Sequence, residues 1–265
     1  MGSHAQNRRG DSVPIERVSE SPRRHPGFVP TPFRPRLRHS ITSGVRSPNA
    51  ETPIPVPLTR IDLPEPELDG TTSVARAIAT RASRRTFADE PEGLAAVSQL
   101  LWAAQGITHT GDGIEMRAAP SAGATYPFVA FLEVAPGGCE RLDAGVYRYE
   151  PTDHELRRSV ETAVRGELVS AALNQPVVER APATIALAAE FDRTVREYPD
   201  HGERYVHMEA GHIAQNVHLV CEGRELHSCP VGAFADAEVA SALRLAERLD
   251  PLYLVPFGAA TDRRT

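Results

Sequence analysis

Arg117-Ala118-Ala119-Pro120-Ser121-Ala122-Gly123-Ala124-Thr125-Tyr126-Pro127 runs directly into Phe128-Val129-Ala130-Phe131-Leu132-Glu133-Val134. The second half is rich in aromatic and branched apolar residues and predicts a strand over 128–134. The first half predicts a loop with one helical turn, and Ser121 is placed to cap that turn. Small residues let a backbone approach a flat ligand, and exposed amides in the loop after Pro120 could meet one. An ordinary turn accounts for the same residues equally well.

Outward from this stretch the periodicity alternates between helix and strand without a strict order. Ser73 offers an N-cap for a helix through Val74, Ala77, Ile78 and Arg81. Leu94, Val97, Leu100, Leu101 and Ala104 recur at helical spacing between Gly93 and Gly106. Further strands are predicted over 145–149, 183–189 and 251–257, with helices over 162–174, 205–221 and 236–246. Elements mixed in this way predict an α+β fold and disfavour a doubly wound parallel sheet.

Composition sets the limits. A chain of 265 residues with 41% hydrophobic and 24% charged residues predicts one soluble domain. Residues 1–67 form a separate segment holding twelve of the 23 prolines. Over residues 1–60, ten arginines against four acids give +6, which leaves −12 for the rest of a chain whose net charge is −6. Proline at that density blocks helix and ladder alike, so a disordered or loosely docked tail is expected over 1–67, with the folded domain over 68–265. The acidic balance argues against nucleic acid as a partner. No apolar run suits a membrane span or a signal peptide, so a cytoplasmic protein is expected. The three cysteines form no Cys-x-x-Cys pair, and His207, His212 and His218 have the wrong spacing for a shared metal, so no metal site is expected. All 29 basic residues are arginine, which excludes lysine chemistry of every kind.

Two more segments complete a candidate site. Arg81, Ser83 and Arg85 offer guanidinium forks and a hydroxyl, the donor set that a phosphate monoester takes. If the helix continues through them, Arg81 and Arg85 share a face. Arginines at a helix end also answer the dipole or simply face solvent. Cys229-Pro230-Val231-Gly232-Ala233 again permits close backbone approach, and Cys229 is read as a small buried residue. One ligand needs both a phosphate grip and a flat cradle, namely flavin mononucleotide (FMN).

These residues resemble the nitroreductase-type flavin oxidoreductases. The resemblance is best to the branch of SagB-type azoline dehydrogenases. It runs through Arg81–Phe87, Leu100–Thr108, Ala119–Pro127, Gly145–Tyr149, Glu209–Asn216, Ser228–Phe234 and Pro251–Gly258, in the family's order. It implies a three-layer α+β fold with a central, mostly antiparallel sheet flanked by helices. It also implies a homodimer with FMN at the subunit interface. Arg81, Ser83 and Arg85 match the family's phosphate and ribityl contacts. Pro120, Ser121, Ala122 and Gly123 match its second flavin segment, and Pro230, Val231, Gly232 and Ala233 the stretch facing the ring. There are two departures. The branch's Lys-Tyr pair is here Glu197-Tyr198, which puts azole formation in doubt. Ala259-Ala260 follow the final Pro-x-Gly where a basic residue is common, leaving Arg263 or Arg264 to substitute.

The resemblance implies an FMN-dependent dehydrogenase or oxidase of a small-molecule or peptide-derived substrate, acting by hydride transfer to flavin. Tyr198 is the first candidate for the proton acceptor and Glu197 the second. An NAD(P)H-dependent nitro or quinone reductase is the alternative. So is an inactive flavin-binding subunit that docks through its tail into a biosynthetic complex.

Overall fold

Alternation along β4 (Phe128–Val134) explains why this chain builds three layers. Phe128, Ala130, Leu132 and Val134 enter one apolar cluster, and Phe131 enters another on the opposite side of the strand. The computed structural model describes residues 59–111 and 113–261. In chain order, β1 (Arg60–Asp62) precedes α1 (Val74–Thr80), α2 (Leu94–Gln105) and the hairpin β2 (Ile107–Gly111) and β3 (Ile114–Arg117). After β4 come β5 (Gly145–Glu150), β6 (Glu155–Val160), α3 (Arg165–Ala171) and α4 (Pro176–Arg180). The chain closes with β7 (Ala183–Ala189), α5 (Phe191–Glu197), α6 (Gly202–Gly223), β8 (Leu226–Ser228), α7 (Asp236–Ala242) and β9 (Asp250–Ala259).

Seven strands form one sheet in the order β1-β6-β5-β4-β7-β9-β8, and every pairing is antiparallel. This is the α+β architecture that the sequence predicts. β7 lies inside the sheet between β4 and β9 with all seven residues buried, as its unbroken apolar run requires. On one face α2 and α6 contribute Val97, Leu100, Leu101, Val206, Ile213 and Val217. On the other, α3, α4 and α7 supply Leu168, Val178 and Val239. The buried Glu133 carboxylate would be costly alone. Arg165 holds it, with Nη2 to Oε2 at 2.6 Å. Among the described residues no helix is long and apolar enough to cross a membrane.

The fold reaches further back than the expected boundary at residue 68. Arg60, Ile61 and Asp62 pair with Arg157, Leu156 and Glu155 of β6, Leu63 is buried, and the Glu67 amide donates to Gln99 Oε1 at 2.8 Å. The prolines of this stretch, Pro64 and Pro66, fall after the three-residue edge strand, where no ladder bond is lost. The rest of the expected tail, residues 1–58, lies outside the described residues. Elsewhere the helix expected over 162–174 is only α3, followed by a turn with left-handed Leu173 and Asn174, while α6 and β9 exceed their predicted lengths.

A chain beginning at residue 68 should therefore melt lower than one beginning at residue 59. Losing the burial of Leu63 and the β1 pairing costs about 2–3 kcal/mol, roughly 5–10 °C for a domain of this size. Thermal denaturation of the two truncations checks this, and equal midpoints would contradict the docking of residues 60–67.

Candidate functional site

α1 ends at Thr80. Its cap, Arg81, donates its N–H to Ala77 O at 2.9 Å and has left helical geometry with ψ 129°. Arg81 and Arg85 therefore share no helical turn, contrary to the expectation from their spacing. The chain instead runs extended along the sheet edge. Arg84 N–H donates to Ser228 O at 3.0 Å, His227 Nδ1 to Thr86 O at 2.7 Å and Ala88 N–H to Ala259 O at 2.9 Å. Gly258 makes this approach possible, because a Cβ there would meet Pro182 Cδ at 2.7 Å and Phe87 Cβ at 3.0 Å. Arg84 turns inward, where Glu222 pairs with it at 2.6 Å. Arg81, Ser83 and Arg85 are exposed, and neither arginine has a carboxylate partner among the described residues.

The same Ser228 carbonyl leads into the Cys229–Ala233 segment, so two of the three candidate segments are joined by a backbone hydrogen bond. Cys229 and Val231 are buried towards α3 and α7, and Val231 exchanges backbone bonds with Leu254 at 2.7 and 3.0 Å. Pro230 is half-buried, and Gly232 and Ala233 are exposed. Among the described residues their two amides have no backbone partner. Gln175 Nε2 holds the Ala233 carbonyl at 2.7 Å, which fixes the segment from behind.

The Pro120–Gly123 segment belongs to the other half of α6. Asn216 Nδ2 donates to Ala103 O and Ala118 O and so ties the loop entry to α2 and α6. A 3₁₀ turn over Ala122–Ala124 follows, as expected, but Ser121 Oγ does not cap it. That oxygen accepts Tyr126 N–H at 3.0 Å instead, because Gly123 at φ 57° turns the chain back. A Cβ on Gly123 would lie 2.7 Å from Tyr198 Oη. The structure thus brings Tyr198 onto this segment, its ring braced edge-on by Tyr205 at 5.3 Å. Glu197 is not brought in; it is exposed at the end of α5. Ala259 and Ala260 are buried, and Arg263 and Arg264 lie outside the described residues.

Two buried polar groups on α6 were not singled out as site residues from the sequence. Glu209 is 3% exposed, and its Oε1 has no partner. Burial pushes its pKa up to about 7, opposed by the nearby Ser121 side chain and the charge of Arg117. Arg117 itself donates to Gln105 Oε1 and lies 4.8 Å over the Tyr126 ring. The available signal was a carboxylate on the apolar stripe of Val206, Ala210, Ile213 and Val217. His218, also buried, sits 2.6 Å from Ser228 Oγ through Nδ1, while Nε2 has no partner. Burial and then the nearby Arg81 and Arg84 lower its pKa, so the ring is neutral. Glu209 and His218 are nine residues apart, about 13 Å along the axis. Within one chain the loop at Ser121 and the strap at Arg81–Arg85 therefore lie along different halves of α6.

A cleft of about 770 Å³ opens beside Arg84 between Glu67–Thr72 and Glu222–His227. Its lining carries Glu67, Asp69, Glu222 and Glu225 against Arg84 and Arg224, a balance that repels a phosphate. Of the residues singled out from the sequence only Ala260, where the family often carries a basic residue, lines it.

The sequence profile of the nitroreductase family matches residues 78–259. A protein of Methanocaldococcus jannaschii assigned as a nitroreductase is 40% identical over 178 residues, 67% of this chain and 86% of its own length. Among solved structures, one from Ralstonia eutropha assigned as a nitroreductase is 26% identical with a TM-score of 0.63, covering 80% of this chain and 97% of that one. The Escherichia coli microcin synthetase McbBCD complex, with truncated pro-MccB17 bound, shares the fold. It has 22% identity and a TM-score of 0.59, with 75% of this chain and 77% of that chain covered.

Two substitutions test this geometry. Gly123→Ala places a methyl against Tyr198 Oη at a left-handed position and should cost about 1–2 kcal/mol, with a matching change in tyrosine fluorescence. Glu209 has a folded pKa near 7 against an ordinary 4.5, so its neutral form stabilises the fold fully below pH 4.5, and this contribution is lost as pH rises through 7. Glu209→Gln should thus gain on the parent between pH 5 and pH 8, by on the order of 3 kcal/mol at most, in urea unfolding. A pH-independent difference would count against the perturbed carboxyl.

Proposed function

The chain belongs to the nitroreductase family, and from that premise we propose that it is an FMN-dependent oxidoreductase of the SagB type. The observation that carries the proposal is the sorting of the arginine cluster. Arg84 is spent on Glu222, whereas Arg81 and Arg85 flank Ser83 with exposed guanidinium groups and no carboxylate among the described residues. That donor set suits a phosphate dianion. The unpartnered amides of Gly232 and Ala233 suit the acceptor edge of a flat heteroaromatic ring, held by a backbone with no Cβ in the way at Gly232.

When bound, FMN supplies two-electron redox chemistry. In this reading Arg81, Ser83 and Arg85 anchor the phosphate. Pro230 to Ala233 orient the ring, and the Gly232 and Ala233 amides stabilise negative charge along its edge. Pro120, Ser121, Ala122 and Gly123 close over the ligand from a second copy of the chain. This arrangement answers their separation from the strap along α6, whose exposed Met208, Gly211, His212 and Gln215 offer a face for a homodimer. Of the two proton acceptors the geometry favours Tyr198, whose hydroxyl lies over Gly123; Glu197 faces solvent. A peptide-derived or specialised-metabolite substrate and a biosynthetic partner protein are supported by the SagB-type resemblance and by the likeness to the microcin synthetase fold.

A second reading is favoured by one departure. With Glu197 where the branch carries lysine, the same site serves an NAD(P)H-dependent nitro or quinone reductase. Anaerobic mixing with NADPH separates the two, since rapid bleaching of bound flavin selects the reductase.

The first test is the absorption spectrum of the purified protein, which should show flavin bands. Arg85→Ala should weaken FMN binding roughly ten- to hundredfold by equilibrium dialysis, the worth of one charged hydrogen bond. Full retention of FMN would remove Arg85 from the site. Tyr198→Phe should slow substrate oxidation with flavin still bound, and an undiminished rate would clear Tyr198 of the proton-acceptor role.

A further inference from the structure

Gln175 closes the turn between α3 and α4, where Leu173 and Asn174 are left-handed and Asn174 N–H donates to Val169 O at 2.9 Å. It stands at the N-cap of α4, yet its side chain caps nothing there. Its Nε2 donates instead to two carbonyls, Ala172 O at 2.9 Å and Ala233 O at 2.7 Å. Only the amide nitrogen can serve two carbonyls, so both side-chain protons are engaged. The second bond crosses 58 positions of sequence to the segment that follows Cys229.

Two anchors thus clip residues 233–235 to a single turn. Gln175 holds the Ala233 carbonyl, and Ala171 O, at the end of α3, accepts Ala235 N–H at 2.9 Å. A trans peptide is planar, and its C=O and N–H point opposite ways. With the Ala233 carbonyl facing the turn, the Phe234 N–H faces away from it. With the Ala235 N–H facing the same turn, the Phe234 carbonyl faces away as well. Phe234 therefore shows a donor and an acceptor on one side, as a residue of an edge strand does. Among the described residues neither group has a partner, since α7 takes its first bonds from Ala235 O, at 3.0 and 2.9 Å. The Phe234 ring packs against the apolar cluster of α3, α4 and α7, which holds the residue in place. Planarity aims Gly232 too. Val231 O accepts Leu254 N–H at 3.0 Å, so the Gly232 N–H points away from β9.

We infer that Gln175 is a positioning residue that sets the Phe234 N–H and C=O to receive the imide edge of the flavin ring. This rests on the reading of Pro230–Ala233 as the segment that faces the ring. An isoalloxazine presents carbonyl oxygens on either side of one imide N–H. Amide donors match the carbonyls but leave the N–H without an acceptor, and an unmatched polar group in a closed site is costly. Phe234 answers both, its N–H suited to a ring carbonyl and its C=O to the imide N–H. A donor–acceptor pair also rejects a flat ring that carries acceptors alone. Gln175 touches no part of the ligand and acts through the peptides it holds.

The experiment compares the dissociation constants of FMN and its 3-methyl derivative, in which a methyl replaces the imide proton. The phosphate is common to both, so its contribution cancels in the ratio. The parent chain, Gln175→Ala and Gln175→Glu are measured, with circular dichroism to confirm folding. The parent should prefer FMN roughly five- to tenfold, the worth of one neutral hydrogen bond. Gln175→Ala frees the Ala233 carbonyl and should reduce that preference by about threefold or more. Gln175→Glu, whose carboxylate accepts only, should lose it likewise. A purely structural role would weaken both flavins by one common factor and leave the ratio unchanged, which overturns the inference. So does a parent that binds the two flavins equally. FMN labelled with nitrogen-15 at the imide gives a second signature by NMR. Its N–H should exchange slowly with water in the parent complex and faster in Gln175→Ala, and fast exchange in the parent also overturns the role of Phe234. These outcomes leave FMN binding intact, whereas a parent that binds no FMN removes the flavin reading and the inference together.

Discussion

Val206, Ala210, Ile213, Ala214 and Val217 bury one face of α6 against the sheet, and the same face carries Glu209 and His218 inside. This constraint organises the rest of the molecule. A helix of 22 residues can pay for two interior polar groups only because its apolar stripe is long. His218 of the same helix bonds Ser228 Oγ at the end of β8, and Asn216 bonds the Ala118 carbonyl at the entry of the loop before β4. The helix thus helps to set where both segments stand.

The sheet edge imposes the complementary constraint. β8 is three residues long, and its outer side is covered by the Arg84–Ala88 strap rather than by another strand. An uncovered edge would expose unpaired amides and carbonyls. Covering it with an extended arginine-rich segment does more than protect it. Along it Arg84 turns to Glu222, while Arg81 and Arg85 stay exposed. In the proposed reading, edge protection and phosphate recognition would share one backbone path.

That path also shows where the sequence was readable and where it was not. Phe128–Val134 and Ala183–Ala189 could be placed to the residue because their patterns are the burial itself. Leu94–Gln105 was legible from its spacing, and the three small-residue or arginine segments from their composition. The Arg81–Arg85 pair was legible as chemistry but misplaced as geometry, since four-residue spacing says nothing about where a helix stops. β1 is too short for any period to register, and β2 and β3 form a hairpin whose residues are largely exposed and carry no apolar alternation. Glu209 was visible only as an acid on an apolar stripe. No local pattern predicts its burial beside Arg117 of a distant strand.

The absence of lysine gives these placements a further meaning. Arginine stays charged throughout the physiological range, so the cationic side of this site is fixed and has no proton to trade. His218 is held neutral by burial and by the arginines beside it, away from the loop at Ser121. Tyr198, with its phenol in contact range of Gly123, and the buried Glu209 are the groups on that side of α6 that the proposed reading leaves to trade a proton. In that reading the arginine strap would hold the cofactor with a charge that never changes, while the opposite wall would supply the proton chemistry. A dimer, if formed as proposed, would bring permanent charge and mobile protons to the same ligand.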